Sequence, residues 1–287
     1  MNDMQPGRIT LLLLIIPGAG FIFLFLSAAI LMTFLQSIGL YSLVGESHLT
    51  ASYWLSLMDR TFFDSFFFSL KVGVGSAFGT LLFAYPLALF LRRRRFGART
   101  IGSIIKIPLF VPALVAAFLI LNVLAFNGVL NNVLLWIGII DRPMRMLNDT
   151  FGWNVLIIQV WKNLPFQLLI IASVLETIQT DIEDAARNLG ASPLRVILHI
   201  VLPLSAPGIL IAVVLVFILT FGDYAITRVA GPVYPSSLSV LMYTDAFTLQ
   251  QWGIAACIGM VVIVASLLFV AIYARVLGTE DVSTGRL

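Results

Sequence analysis

Six apolar runs divide this chain: Ile9 to Leu35, Phe66 to Leu91, Ile104 to Phe126, Trp153 to Leu175, Leu204 to Phe221 and Ile254 to Val276. Each is close to the ~20 residues with which an α-helix crosses the hydrocarbon core of a bilayer. The runs are continuous rather than alternating over ~10 residues, which predicts helices and not barrel strands. Prolines punctuate them, with Pro17 in the first, Pro86 in the second, Pro108 and Pro112 in the third and Pro165 in the fourth. Membrane helices tolerate such breaks where neighbours satisfy the freed carbonyls, so kinks are expected at these points. In the second run, Gly75 and Gly79 form a small-xxx-small face suited to close helix packing. The surrounding "GVGSAFG" follows no strand and is not a dinucleotide fingerprint.

Composition agrees with the pattern. Of 287 residues, 60% are hydrophobic and 11% charged, and the mean hydropathy is +1.03, whereas soluble domains carry about 25% charged residues. The expectation is an all-α integral membrane protein with six transmembrane helices. The first apolar run is longer than a signal-peptide core and is read as a retained membrane helix.

Charge orients the spans. Arg8, Arg92, Arg93, Arg94, Arg95, Arg99, Lys106, Arg187, Arg195, Arg275 and Arg286 fall on one side, and only Arg60, Arg142, Arg145 and Arg228 on the other. Positive charge stays inside, so both termini and the Thr180–Pro203 stretch are expected in the cytoplasm of a prokaryote, with the chain multi-pass in its plasma (inner) membrane. The net charge of +3 is scattered or placed at the ends of apolar runs, which argues against nucleic acid as a partner.

Much chemistry is excluded. Cys257 is the sole cysteine and lies in an apolar run, so no internal disulfide and no CxxC metal site exists. His48 and His199 fall on opposite sides of the membrane in the six-span reading, and no HExxH or GxSxG occurs. None of the three lysines completes a phosphate-binding GxxxxGK[ST] loop. No catalytic residue and no metal ligand is assigned, and the chain is not expected to be an enzyme.

Two polar places interrupt the apolar sequence. The first lies inside the fourth run, where Gln159, Lys162, Asn163 and Gln167 stand at helical spacings beside Pro165. An ionisable group at membrane depth costs at least about 2.5 kcal/mol to insert, so this stripe is expected to face away from lipid. It lines a pathway or else forms an interhelical hydrogen-bond network. Asp64 and Lys71, near the outer end of the second run, are read as snorkelling side chains.

The second is "TDIEDAARNLGASPLRVILHIVLP", Thr180 to Pro203. Ile178, Ile182, Ala185, Ala186 and Leu189 recur at spacings of three and four and predict one face of a short helix. Thr180 or Asp181 is expected to cap its start, and Asp181, Glu183 and Asp184 cluster where the helix dipole favours acids. Gly190 sits where a left-handed cap belongs, and Ser192 with Pro193 restarts a helix. Leu202 and Pro203 are expected to close the unit before the fifth span. The alanine pair leaves room for another backbone to approach.

These residues carry a resemblance. The permeases of binding-protein-dependent type I ABC importers have a cytoplasmic signature of E-A-A, three residues, G, nine residues, I, one residue, L-P. Asp184, Ala185, Ala186, Gly190, Ile200, Leu202 and Pro203 match its spacing, with aspartate in place of glutamate and Glu183 beside it. The resemblance implies that loop 177–203 is a coupling helix between helices 4 and 5, seated on a cytoplasmic ABC ATPase, in two copies, that binds ATP and Mg. It further implies a second, homologous or identical permease, an extracytoplasmic solute-binding protein and a small-molecule substrate. No cofactor is then held by this chain. Its segments become an N-terminal helix and outer loop (1–65), an importer transmembrane domain (66–276) and a cytoplasmic tail (277–287).

"GVLNNVLLWIGIIDRPMRML", Gly128 to Leu147, together with "EDAARNLGAS", is similar to permeases of spermidine/putrescine importers. A polyamine is a string of ammonium groups, which carboxylates and aromatic faces attract. Asp223 and Tyr224 at the outer end of the fifth span are candidates for its path, although Asp223 can equally cap its loop or pair with Arg228. Lys162 speaks against a cation held directly beside it. A sugar, phosphoester, iron or other small solute stays open, as does the more remote reading of a membrane scaffold that transports nothing.

Overall fold

Backbone groups inside a bilayer find no water and must pair within the chain, and the described spans are built from helices, the third with a turn at 125–128 between two of them. The structure, a computed structural model, describes residues 8–43, 47–93, 97–147 and 149–283. Arg94, Arg95 and Arg286 of the charge count lie outside them, as does the end of the tail. The helices are α1 (Arg8–Ser37), α2 (Ser52–Leu57), α3 (Arg60–Arg92), α4 (Ala98–Ile105), α5 (Ala113–Leu124), α6 (Val129–Trp136), α7 (Trp153–Thr177), α8 (Thr180–Asn188), α9 (Pro193–Val196), α10 (Leu202–Phe221), α11 (Ala225–Ala230), α12 (Leu238–Tyr243) and α13 (Trp252–Ser283). Among the described residues, six stretches are long and apolar enough to cross a membrane: Ile16–Ser37, Arg60–Arg92, Ala113–Trp136, Trp153–Thr177, Pro193–Phe221 and Trp252–Arg275.

Two of these differ from the apolar runs. The third was expected as one helix from Ile104 to Phe126; instead α4 gives way to a 3₁₀ turn, Ile107–Phe110, before α5 begins. Pro112 pushes the preceding residue out of helical space, and Val111 is extended at φ −89°, ψ 120°. The span resumes only at Ala113 and runs through α6 to Trp136. The fifth span was expected from Leu204, but helix continues from Pro193. Pro203 has no N–H for the carbonyl four residues back. A π-helical segment, Ile197–Val201, absorbs the defect, with Leu202 N–H bonding Ile197 O five residues back. Pro17, Pro86 and Pro165 sit inside unbroken helices.

The chain forms two units, residues 1–59 with 241–263, and residues 60–240 with 264–287. The start of α13, residues 252–263, belongs to the same unit as α1. In that unit, Cys257 Sγ–H reaches Ser37 O at 3.4 Å, and a side chain at Gly259 would lie 3.4 Å from Thr33. Small residues on α13 let it approach α1 closely.

The second unit is built on α3, α7 and α10. Glycines set their separation: a Cβ at Gly75 would stand 2.9 Å from Leu156 of α7, and one at Gly79 3.0 Å from Val160. Gly208 of α10 leaves still less room against Val174, where a Cβ would lie 2.2 Å away. Ala84, Ala88, Leu168, Ile171, Leu175, Val196 and Ile209 form the core at the Arg92 end. Phe68, Val72, Ala116, Val155, Ile158 and Ile226 form it at the other end. Lys71 does not snorkel freely, because its ammonium lies 4.3 Å from the centre of the Phe151 ring and 5.0 Å from that of Phe68. Asp64 receives a hydrogen bond from Tyr234 Oη.

Candidate functional site

The helix α8 follows two extended residues, Ile178 and Gln179. Gln179 holds the N-cap position without a side-chain hydrogen bond, so neither Thr180 nor Asp181 caps the helix. Both already belong to α8, because the chain leaves α7 only at Ile178. At the other end Gly190 adopts φ +88°, with its N–H on Arg187 O at 2.9 Å and Ala191 N–H on Ala186 O at 3.0 Å. A Cβ on Gly190 would meet nothing within 4 Å. Glycine is therefore demanded by the left-handed backbone and not by space. Ser192 caps α9, its Oγ accepting from Arg195 N–H at 3.4 Å.

Charge separates the two neighbouring acids. Glu183 is buried and accepts from Arg92 Nη1 at 2.5 Å and Arg187 Nη2 at 3.1 Å. Arg92 also donates to Ile178 O at 2.6 Å, so one guanidinium ties the end of α3 to both edges of the α7–α8 corner. Asp184 points outward and, among the described residues, pairs only with Arg187, at 2.7 Å on its own helix. Ile178 and Ala186 pack into the core at the Arg92 end, while Ile182, Ala185, Leu189 and Leu194 are exposed, Leu189 at 90%. Ile200 and Leu202 pack behind them, and Pro203 is exposed. The result is an apolar knob carrying one outward carboxylate, held from behind by an ion pair shielded from water.

The stripe on α7 turns the other way. Gln159, Asn163 and Gln167 are buried, Gln167 completely. Asn163 Nδ2 donates to Gln159 O at 2.9 Å and Gln159 Oε1 at 3.1 Å, and reaches Thr220 Oγ1 of α10 at 3.5 Å. Gln167 Nε2 reaches Ala77 O of α3 at 3.4 Å. Such bonds link α7 to α10 and to α3. Lys162 is half-buried and donates to Pro108 O and Val111 O at 2.6 Å each. These carbonyls flank the break that Pro112 imposes, so the lysine repairs the helix end left open in the third span.

Asp223 caps α11, its Oδ2 accepting from Ile226 N–H at 2.9 Å and Thr227 N–H at 3.2 Å. Burial pushes its carboxyl above the usual carboxylate range, and the backbone bonds from Thr227 and Ile226 oppose that shift. Tyr224 is the N-cap residue of the same helix.

Sequence reasoning treated Arg92 as a flank of the membrane helix and missed its bond to Glu183, because 91 residues separate the two. It also missed Asn131, which clamps Met144 through a reciprocal pair of 2.9 Å bonds and so shapes the segment between α6 and α7. No periodicity marks either.

The sequence profile of the family described as "Binding-protein-dependent transport system inner membrane component" matches residues 73–277. The chain belongs to this family. It is a multi-pass inner-membrane permease subunit of an ABC importer, and not an enzyme. The spermidine/putrescine transport system permease PotB of Escherichia coli is 26% identical over 227 residues, covering 79% of this chain and 82% of that one. The molybdenum transport system permease ModB of Haemophilus influenzae is 31% identical over 166 residues, 55% of this chain and 69% of that one. Among solved structures, a bacterial ABC transporter that imports the acidic polysaccharide alginate superposes with TM-score 0.68 at 19% identity, over 93% of this permease and 94% of that chain. The MetNI methionine ABC transporter superposes with TM-score 0.58 at 16% identity, over 75% and 94%. These two similarities establish the type I importer permease fold for this permease and leave its cargo open.

Proposed function

We propose that this permease forms half of a translocation pathway and couples it to a cytoplasmic ATPase through the α8–Gly190–α9 loop, with a polyamine as cargo. The observation that carries the coupling role is the division of labour within the loop. Glu183 anchors it to α3 through Arg92, which leaves Asp184, Ala185 and Leu189 free to meet a partner. A small, apolar, backbone-braced knob seats in a groove and transmits a push, because its own attachment to the membrane helices is stiff. In this reading the loop and both termini are cytoplasmic, two ATPase copies supply ATP and Mg, a second permease completes the passage, and a solute-binding protein delivers cargo from outside. Gln159, Asn163 and Gln167 then support the passage from behind, and Lys162, Asp223 and Tyr224 lie nearer to it.

The polyamine assignment rests on likeness to the spermidine/putrescine permeases and on Asp223, a carboxylate beside Tyr224 at the end of the fifth span. A second reading, an oxyanion cargo, is favoured by Lys162 within the fourth span and by the molybdenum permease relative. Reconstitution with the cognate ATPase and binding protein tests both. Gly190→Val meets no neighbour within 4 Å of its Cβ but strains the left-handed turn at φ +88°, so it is expected to deform the loop locally, leave the membrane helices in place and uncouple ATP hydrolysis from uptake. Wild-type coupling in that variant sinks the docking role. A binding protein that retains molybdate and ignores spermidine removes the polyamine.

A further inference from the structure

A cavity of about 730 Å³ opens between the Arg92 end of α3, the helix α4 and α7. Its wall is apolar, with Leu91 on α3 and Leu168 and Ala172 on α7. Its rim is not, since Arg92, Lys106 and Ser103 line one part of it and Glu176 another. Arg92 is engaged with Glu183 and Ile178. Lys106 is exposed and has no ion pair among the described residues. The neighbouring surface suits acyl chains, for Ile104 is 58% and Phe110 85% exposed.

From this juxtaposition we propose that the cavity is a binding site for an anionic phospholipid with a hydroxyl-bearing headgroup, its phosphate beside Lys106 and its hydroxyls toward Glu176. The placement follows from chemistry. The cavity stands where a membrane span ends, so lipid headgroups are the solutes in highest local concentration there. A basic rim over an apolar wall matches a phosphate above a hydrocarbon chain, and basic pockets between membrane helices take anionic headgroups. A volume of this size lies within the range of small-molecule pockets, about 300–1,000 Å³, and accommodates a headgroup with the upper part of its chains. A zwitterionic headgroup gains less, because its ammonium would meet Glu176 but its zero net charge does not offset the two cations, Arg92 and Lys106, that the rim holds against that one carboxylate. The proposal depends on the membrane fold and not on the cargo.

Native mass spectrometry of the full chain, purified with its importer partners and stripped of lipid, decides the matter. Phosphatidylglycerol is added in one series, phosphatidylethanolamine in a second and inorganic phosphate in a third. The expected result is retention of phosphatidylglycerol over phosphatidylethanolamine, weakened about fivefold by Lys106→Ala, the equivalent of roughly 1 kcal/mol for one basic residue at an anionic surface. Lys106→Glu weakens it further and Lys106→Arg restores it. Lys106 is exposed, so these variants keep the fold. Equal retention of the two lipids, or indifference to Lys106→Glu, overturns the proposal. So does displacement of the lipid by phosphate alone, which marks a plain anion site, or a disulfide from Gly102→Cys to the second permease, which shows the cavity to be a subunit interface.

Discussion

The α8–α9 loop and the polar stripe of α7 both look like interruptions of an apolar sequence, yet the fold turns them in opposite directions. In the loop Ile182, Ala185, Leu189 and Leu194 face outward, Leu189 most of all, and a buried ion pair holds them there. In the stripe the polar side chains are buried and bond to α3, to α10 and to the broken start of the third span. In a membrane protein, then, polarity marks a place where the chain must satisfy something, and not which way that place faces. The loop satisfies a corner between helices and leaves a surface over; the stripe bonds helices to one another and leaves Gln167 Oε1 without a partner among the described residues.

That contrast can be broken by mutation. The largest effect is expected from Arg92→Leu, which strands Glu183 against Arg187 alone and frees Ile178 O. Removing one partner of a shielded pair costs about 3 kcal/mol, so the melting temperature in detergent should fall markedly, and an unchanged value would show that α8 is held by packing. Next comes Lys162→Met, which keeps the volume and removes the side-chain donor from Pro108 O and Val111 O, Pro108 O keeping only its 3.3 Å bond from Val111 N–H. The expected loss is about 2 kcal/mol, and a neutral result would mean that water caps the break.

A third test contrasts Glu183, matched by cations, with Asp245, a buried carboxylate of the other unit that faces Asp59. Burial and then the Asp59 charge raise the Asp245 carboxyl from 3.8 to about 6. A raised folded value means that the folded state holds its proton longer. The associated stability is therefore full below pH 3.8 and is lost as pH rises through about 6. Asp223 is also raised and adds a slope of the same sign. Melting across this window should show a decline that Asp245→Asn reduces; an identical profile for wild type and variant would remove Asp245 from the account. The smallest effect belongs to Asp184→Asn. Its pair with Arg187 is exposed, and such pairs are worth under about 1 kcal/mol. Melting should hardly move, while affinity for the ATPase, measured on the assembled complex, falls if the outward acid makes the contact.

Particular residues show how far the sequence could be read. Gly190 was legible because a glycine just past a helical pattern has one conformational use, and its φ of +88° agrees. The close-packing face of Gly75 and Gly79 was legible for a similar reason, since small residues four apart share a helix face. Pro112 announced a disturbance but not its kind: a proline kinks a helix that neighbours can mend and ends one that they cannot. Pro165 and Pro86 remained inside helices, whereas Pro112 closed one. The choice between Glu183 and Asp184 was illegible, because adjacent residues differ only in the direction in which they leave the helix, and that direction has meaning only once α3 is in place.

The sequence by itself determined the membrane setting, the number of spans and the position of the α8–α9 loop, because length, hydropathy and backbone freedom are local properties. Tertiary structure alone decided which acid is buried, what Lys162 caps and which way the α7 stripe faces. Each of these is a pairing between groups from 51 to 91 residues apart, and no local pattern specifies which distant carbonyl or carboxylate will be brought within hydrogen-bond reach of a given side chain.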